Sequence, residues 1–296
     1  MPEGPESAKS PKGPSTGENM GNLWIGPPGA MVEIDQAAKT YDRTADLGVS
    51  EYKSIGGRVT LARTPSPVRR LKLAWDLLAP AHARALDRIA RRVDRPGPVF
   101  VVDPAAGNVL APAQAAGYGV AGATGITGLA QWFKVTTGTV TENTSLPGTF
   151  LFTAADATSS VAWRCAGTIG NIPVTPGLPV SFRAPTAIAA IGTASVGIDF
   201  KKADGTYLST VTTTGAIVSG TAPANAAYVT PTAKPGTAGS CSLAGACLTY
   251  GGTAENGIPG DGLPPMSVTN YTDTPGRPLP YRTITLDLVE VSSPTG

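Results

Sequence analysis

The sequence predicts a mainly β protein in two units: a small β-rich front domain with one α-helix, and a rear β-sandwich of jelly-roll type. Three observations carry that expectation. Glycine and proline number 36 and 28 in 296 residues, and neither suits a helix interior, so a largely helical chain is excluded. After position 132, short Thr/Val-rich runs recur about every ten residues, separated by turn pairs such as Pro147/Gly148, Pro176/Gly177, Asp204/Gly205 and Pro235/Gly236. Charge is unevenly placed: residues 1–115 carry 15 of the 23 Lys/Arg and 12 of the 21 Asp/Glu. With 41% hydrophobic residues the chain can build a core, which argues against wholesale disorder.

Residues 1–21 are rich in Pro, Gly, Ser, Lys and Glu and read as an extended, disordered arm. The front domain then spans 22–115. LWIG (23–26) is a short strand stopped by Pro27/Pro28/Gly29, and MVEID (31–35) alternates as a half-buried strand does. A Gly56/Gly57 break precedes Val59 and Leu61, which share one face, and 68–77 begins with alternation. The one convincing helix is 80–93. Pro80 suits its first turn; Ala81, Ala85, Ile89 and Val93 form a stripe, with Arg84, Arg88 and Arg91 on the other side. Arg95/Pro96/Gly97 ends it, and 98–104 reads as a buried strand. Residues 116–131 are a Gly/Ala-rich linker. The rear unit, 132–292, holds strands at 133–140, 149–154, 160–166, 179–185, 194–202, 206–213, 226–233, 246–252 and 282–291. The last alternates cleanly through Ile284, Leu286 and Leu288.

Several functions are excluded or disfavoured. A net charge of +2 is too small to draw a polyanion by field alone. The basic run Arg63, Arg69, Arg70 and Lys72 with the helix arginines is diluted by Asp76, Asp87 and Asp94. It therefore reads as a subunit interface laced with ion pairs, with Arg69, Arg70, Arg84, Arg88 and Arg91 as candidates, and no nucleic-acid partner is expected. The single histidine, His82, and three cysteines without metal-ligand spacing leave no zinc site. Cys241 and Cys247 are six residues apart, and a bridge or two free thiols both remain open; Cys165 is isolated. No apolar run is long enough for a membrane span and no apolar core marks a secretory signal, so synthesis in the cytoplasm is expected.

No nucleophile elbow, P-loop or HExxH occurs. GYGVAG (117–122) imitates a dinucleotide fingerprint but follows a Pro/Ala segment rather than a strand. Nothing in the sequence pairs two of the nine rear carboxylates across a cleft, as glycoside hydrolysis requires, so no catalytic residue is assigned and no enzyme is expected. Sugar binding needs exposed aromatic faces. Tyr207 after the Asp204/Gly205 turn, Tyr228 at a strand start and Trp163 are the candidates, although the phase of Val161, Trp163 and Cys165 reads equally as core.

Two resemblances follow from residue order. The rear block IPVTPGLPVSFRAP, SVGIDFKKADGTYLSTVT, TAPANAAYVTPTA and ITLDLVEV is similar to carbohydrate-binding-module-like jelly rolls. That resemblance implies host cell-wall glycan as a partner and a structural calcium held by Asp287 of the closing strand with Glu142. The front block resembles the N-terminal domain of minor tail proteins of long-tailed actinobacterial phages, relatives in architecture of distal tail proteins. The order Gly56-Gly57-x-Val59, helix, then Val102, Asp103, Pro104, Asn108 and Leu110 carries it. It implies a virion structural protein of the tail tip, in a ring with copies of itself and touching the tail tube and tail-tip hub. The arm 1–21 has no counterpart in either resemblance. A non-viral carbohydrate-binding accessory module and a cell-wall glycan hydrolase are the competing readings.

Overall fold

A computed structural model describes residues 22–63, 68–103, 106–125, 128–164 and 172–292; the arm 1–21, Pro104 and Cys165 lie outside the described residues. In the front half, β1 (Leu23–Gly26) and β2 (Val32–Ile34) form a hairpin around the Pro27/Pro28/Gly29 turn. β3 (Thr40–Asp46), β4 (Val49–Lys53), β5 (Val59–Arg63) and β6 (Val68–Leu78) make one long ribbon. β3 pairs with β6 up to Asp46 and Val68, and β4 pairs with β5 beyond that point. α1 (Pro80–Ala90) starts on a proline, whose missing N–H has no partner to lose in a first turn, and buries Ala83, Leu86 and Ile89. It stops short of residue 93; of the expected stripe Ile89 is buried and Ala85 half-buried, while Ala81 and Val93 are exposed and Ala83 and Leu86 complete the buried face. β7 (Phe100–Val102) follows.

The rear half opens with α2 (Pro112–Ala116), then β8 (Trp132–Lys134), β9 (Thr139–Glu142), β10 (Phe150–Ala154), β11 (Val161–Trp163) and β12 (Ile172–Pro173). Next come β13 (Pro179–Arg183), α3 (Thr186–Ala189), β14 (Ser195–Lys201), β15 (Tyr207–Thr214) and β16 (Ile217–Thr221). β17 (Tyr228–Lys234), β18 (Gly239–Ser242), β19 (Cys247–Tyr250), β20 (Met266–Pro275) and β21 (Arg282–Glu290) complete the chain. The fold is mainly β, with a β-sandwich at the rear. One layer runs β15-β14-β17-β11-β8, with β12 added on β17; β16-β13-β19 and β18-β10-β9 face it. Val196, Ile198 and Phe200 of β14, Phe182 of β13 and Phe150 and Phe152 of β10 meet in the core between them.

The last strand departs from expectation. Alternation over 282–291 does produce β21, but β21 pairs with β6, from Arg282 opposite Leu78 to Val289 opposite Arg70. Its Ile284, Leu286 and Leu288 join Leu71, Leu73 and Trp75 in the front core. Alternation tells that one face of a strand is buried; it does not tell against which sheet. The sheet order is β20-β21-β6-β3, so the rear sandwich is inserted between β7 and β20, and residues up to 292 do not all belong to it.

The two units share a wall instead of a linker. In β7, Phe100 and Val102 point into the rear core while Val101, with the preceding Val99, points into the front core. That double burial explains why 98–104 reads as an unbroken apolar run. The expected linker 116–131 is packed at both ends: Gly117, Gly128 and Gln131 are buried, and Leu129 packs against the rear core. Gly117 caps α2 at φ +67, where a Cβ would sit 2.4 Å from the backbone nitrogen of Ala244. Gly117 and Gly128 mark close backbone approach, whereas Gly122 and Gly125 face open space.

Asn108 braces the passage between units. Its side chain is fully buried. Nδ2 donates to the carbonyls of Ala246 (2.9 Å) and Ile258 (3.0 Å), and Oδ1 accepts from the N–H groups of Leu110 and Leu248 (both 3.1 Å). The outgoing and returning segments also bond directly, Asp261 N–H to the Asn108 carbonyl and Gly262 N–H to that of Leu110.

Candidate functional site

The outer face of the large rear sheet brings two of the three sugar-binding candidates together. Register places Tyr207 of β15 opposite Lys201 of β14, and Lys201 opposite Tyr228 of β17, which itself opposes Pro173 of β12. The result is one cross-strand row of two aromatics flanking a lysine. A bulge makes it. Phe200 pairs with Ser209 and Lys201 with Tyr207, so Leu208 is the extra residue and Tyr207 is turned outward. The Tyr207 hydroxyl donates to Thr210 Oγ1 at 2.9 Å, and Thr210 donates to Asp199 Oδ1 at 2.5 Å. These bonds hold the ring back along its own strand, where it remains 63% exposed.

The neighbouring rows on this face are polar: Thr210, Asp199 and Thr230, then Thr212, Gly197 and Thr232. Gly197 is required there, since a Cβ would lie 2.7 Å from Thr232 Oγ1. Arg164 follows β11, and continuing the β11–β17 register by two residues sets it beside Thr230. Its guanidinium carbon lies over the Phe133 ring, 4.6 Å from its centre, a cation–π contact. Burial lowers the pKa of Lys201; Asp199 acts against that shift and Arg164 with it. Lys201, Asp199, Thr210 and Arg164 were not foreseen as site residues. The signal was available in the spacing, because the Asp204/Gly205 turn sets Lys201 opposite Tyr207 once the hairpin is closed.

Trp163 does not join this face. It is fully buried, edge-on to Phe182 with ring centres 5.1 Å apart, and offers no stacking surface. The calcium pair is not brought together either. Glu142 lies on β9, and both its oxygens accept backbone N–H groups, Oε1 from Gly148 and Oε2 from Gly122, which hold its carboxyl below the usual range. Asp287 lies on β21 in the front sheet, where Oδ2 accepts from Asn270 at 3.1 Å. Calcium needs six to eight oxygens; among the described residues no group of three or more His, Cys, Asp or Glu is placed to hold a metal ion. The residues do not fit the implied ion. Cys241 and Cys247 are buried free thiols, so the bridge left open by the sequence is not formed.

The arginines divide. Arg88 pairs with Asp94 and Arg91 with Asp87, both on or beside α1. Arg69 reaches Asp261 (3.6 Å) and Glu290 (3.8 Å), and Arg43 bonds Asp103 and Asp261. These last pairs tie the front sheet to both segments that pass between units, beside a cleft of about 260 Å³. Burial, then the Asp103 carboxylate, pushes the Tyr41 hydroxyl far above the ordinary tyrosine range there. Arg70 lines the cleft, and neither it nor Arg84 has an ion pair among the described residues.

A second exposed feature is the β4–β5 ribbon. All ten of its strand residues are exposed, and no third strand pairs with it among the described residues. Val49, Leu61 and Val59 stand on one side and Tyr52 on the other; Leu61 is 63% exposed and Tyr52 62%. No helix among the described residues is long and apolar enough to cross a membrane.

No protein-family profile matches the chain, and no curated protein matches it. Two solved structures are similar in part. One is described as a carbohydrate-binding module of the β-sandwich superfamily with promiscuous specificity; it is 14% identical, with a TM-score of 0.29, covering 77% of this chain and 91% of that one. The other is an arabinose-bound α-L-arabinofuranosidase, 12% identical with a TM-score of 0.29, covering 46% of this chain. The chain spans only 26% of the arabinofuranosidase. At these scores neither likeness carries an argument beyond the weak similarity itself.

Proposed function

We propose that the chain is a non-enzymatic structural subunit of a phage tail tip. In this reading it is made in the host cytoplasm and built into the virion. The front domain joins copies of itself in a ring and meets neighbouring tail-tube and hub proteins. The rear sandwich is carried outward, where it contacts host glycan.

The observation that carries the proposal is the β4–β5 ribbon. An isolated two-stranded hairpin is at best marginally stable in water, yet this one extends about 17 Å from the sheet and presents Val49, Tyr52, Val59 and Leu61 to solvent. Contact with a neighbouring subunit would cover those side chains and stabilise the ribbon. The shared wall between the two cores also supports the reading, since it would hold a displayed sandwich in a defined direction. With Arg88 and Arg91 paired within the chain, Arg70 and Arg84 are the interface candidates without an ion pair among the described residues.

Sedimentation velocity on the full chain tests the proposal. Wild type should form a discrete oligomer, and a Tyr52→Glu/Leu61→Glu variant should be monomeric with an unchanged circular dichroism spectrum. A wild type that stays monomeric at high concentration contradicts it.

The competing reading, a carbohydrate-binding accessory module, is favoured by the Tyr207, Lys201 and Tyr228 row alone. Hydrolysis is disfavoured by the carboxylates. Asp156 and Asp204 accept turn hydrogen bonds and Glu142 accepts the N–H groups of Gly148 and Gly122, all of which lower their pKa values, whereas a general acid needs a raised one.

A further inference from the structure

The outer face of the rear sheet carries more than stacking rings. Its cations are Arg164, Lys201 and Lys234, and its one carboxylate within the strands is Asp199, already accepting from Thr210. Two of the cations sit close to the aromatic row. Lys201 stands within it, between Tyr207 and Tyr228, and Arg164 stands one row away with its guanidinium over the Phe133 ring. A neutral sugar would use the rings and the hydroxyls of Thr210 and Thr212 and gain nothing from the positive charge of these side chains. An anionic sugar would use all three sets: a ring face against Tyr207, hydroxyls to the threonines, and its charged group to Lys201 and Arg164. Planar guanidinium suits carboxylate and phosphate oxygens alike.

We infer that this face selects an anionic glycan, bearing carboxylate or phosphate, over a neutral one of the same shape. The inference rests on the proposed glycan contact of the rear sandwich and adds the charge class of the ligand. The half-buried position of Lys201 agrees with it, because an anion alongside offsets the desolvation that lowers its pKa. Repetition of the face around an assembly would multiply a weak single contact.

Calorimetry with the full chain at low salt tests the inference. The probes are trigalacturonate, its neutral methyl ester, and mannotriose phosphorylated at O6, which separates a phosphate source from a uronate one. One of the two acidic probes should bind at least about tenfold more tightly than the ester, as a charge-assisted hydrogen bond allows. Lys201→Met and Arg164→Lys should each weaken the acidic probe more than the ester and so narrow the preference, and Tyr207→Ala should weaken both. Added salt should reduce the preference. Equal affinity for acid and ester, or an unaltered preference in Lys201→Met, overturns the charge selectivity while leaving glycan contact standing. Binding of none of the three probes overturns both.

Discussion

Asn108 offers the sharpest test of how the two units are joined. Replacing it with leucine keeps the branched shape, with bulkier methyl groups, and removes four hydrogen bonds at a fully buried point. The carbonyls of Ala246 and Ile258 and the N–H groups of Leu110 and Leu248 then lose their partners together. At about 1 kcal/mol for each net hydrogen bond, the loss is roughly 4 kcal/mol. That is a large share of the about 5–15 kcal/mol that holds a typical domain. Guanidinium unfolding followed by tryptophan fluorescence measures it, with the wild-type slope as the control that the same surface is exposed. Asn108→Asp keeps the two acceptor bonds but turns a carboxylate oxygen toward two carbonyls, so it should not rescue. A leucine variant within about 1 kcal/mol of wild type would show that the crossing segments do not depend on this side chain, and the brace would have to be abandoned.

Three further outcomes follow from the same structure. Ending the chain at residue 265 removes β20 and β21 and uncovers Leu71, Leu73 and Trp75, so amide exchange in β6 and α1 should become fast; persistent protection there would contradict the insertion. In a Cys165→Ser background, neither Cys241 nor Cys247 should react with a thiol reagent at pH 8 in the native protein, since burial raises both and pushes Cys241 up to about 11. Both should react after unfolding, and a shortfall would indicate a bridge. Glu142 is held below the ordinary carboxylate value of 4.5 by the N–H groups of Gly148 and Gly122. Its contribution is therefore full above that value and is lost as pH falls through the lower folded one, and Glu142→Gln should flatten the acid limb of the stability profile.

Much of the fold was legible because local rules suffice for it. Pro80 and the run of apolar residues behind it mark α1, and the Asp204/Gly205 turn marks the β14–β15 hairpin. Alternation marks β21, but its partner β6 lies more than two hundred positions away, and period two carries no address. β3, β20 and β16 escaped because their polar Thr, Asp, Asn and Ser residues give no apolar rhythm; all three are sheet edges and need none. Asn108 stood out only through its place after Val102 and Asp103, and its four bonds join segments that are distant in sequence. The site was half legible. Tyr207 and Tyr228 are aromatic and follow turn signals, whereas Lys201 and Arg164 gain meaning only from cross-strand register. Trp163 failed as a candidate because an aromatic in a buried phase is core.

The central claim is assembly into a tail tip, and antibody labelling of virions under the electron microscope tests it most directly. An antibody raised against the rear sandwich should decorate the tail end and nowhere else on the particle. A protein absent from virions, and monomeric when purified, would contradict the account.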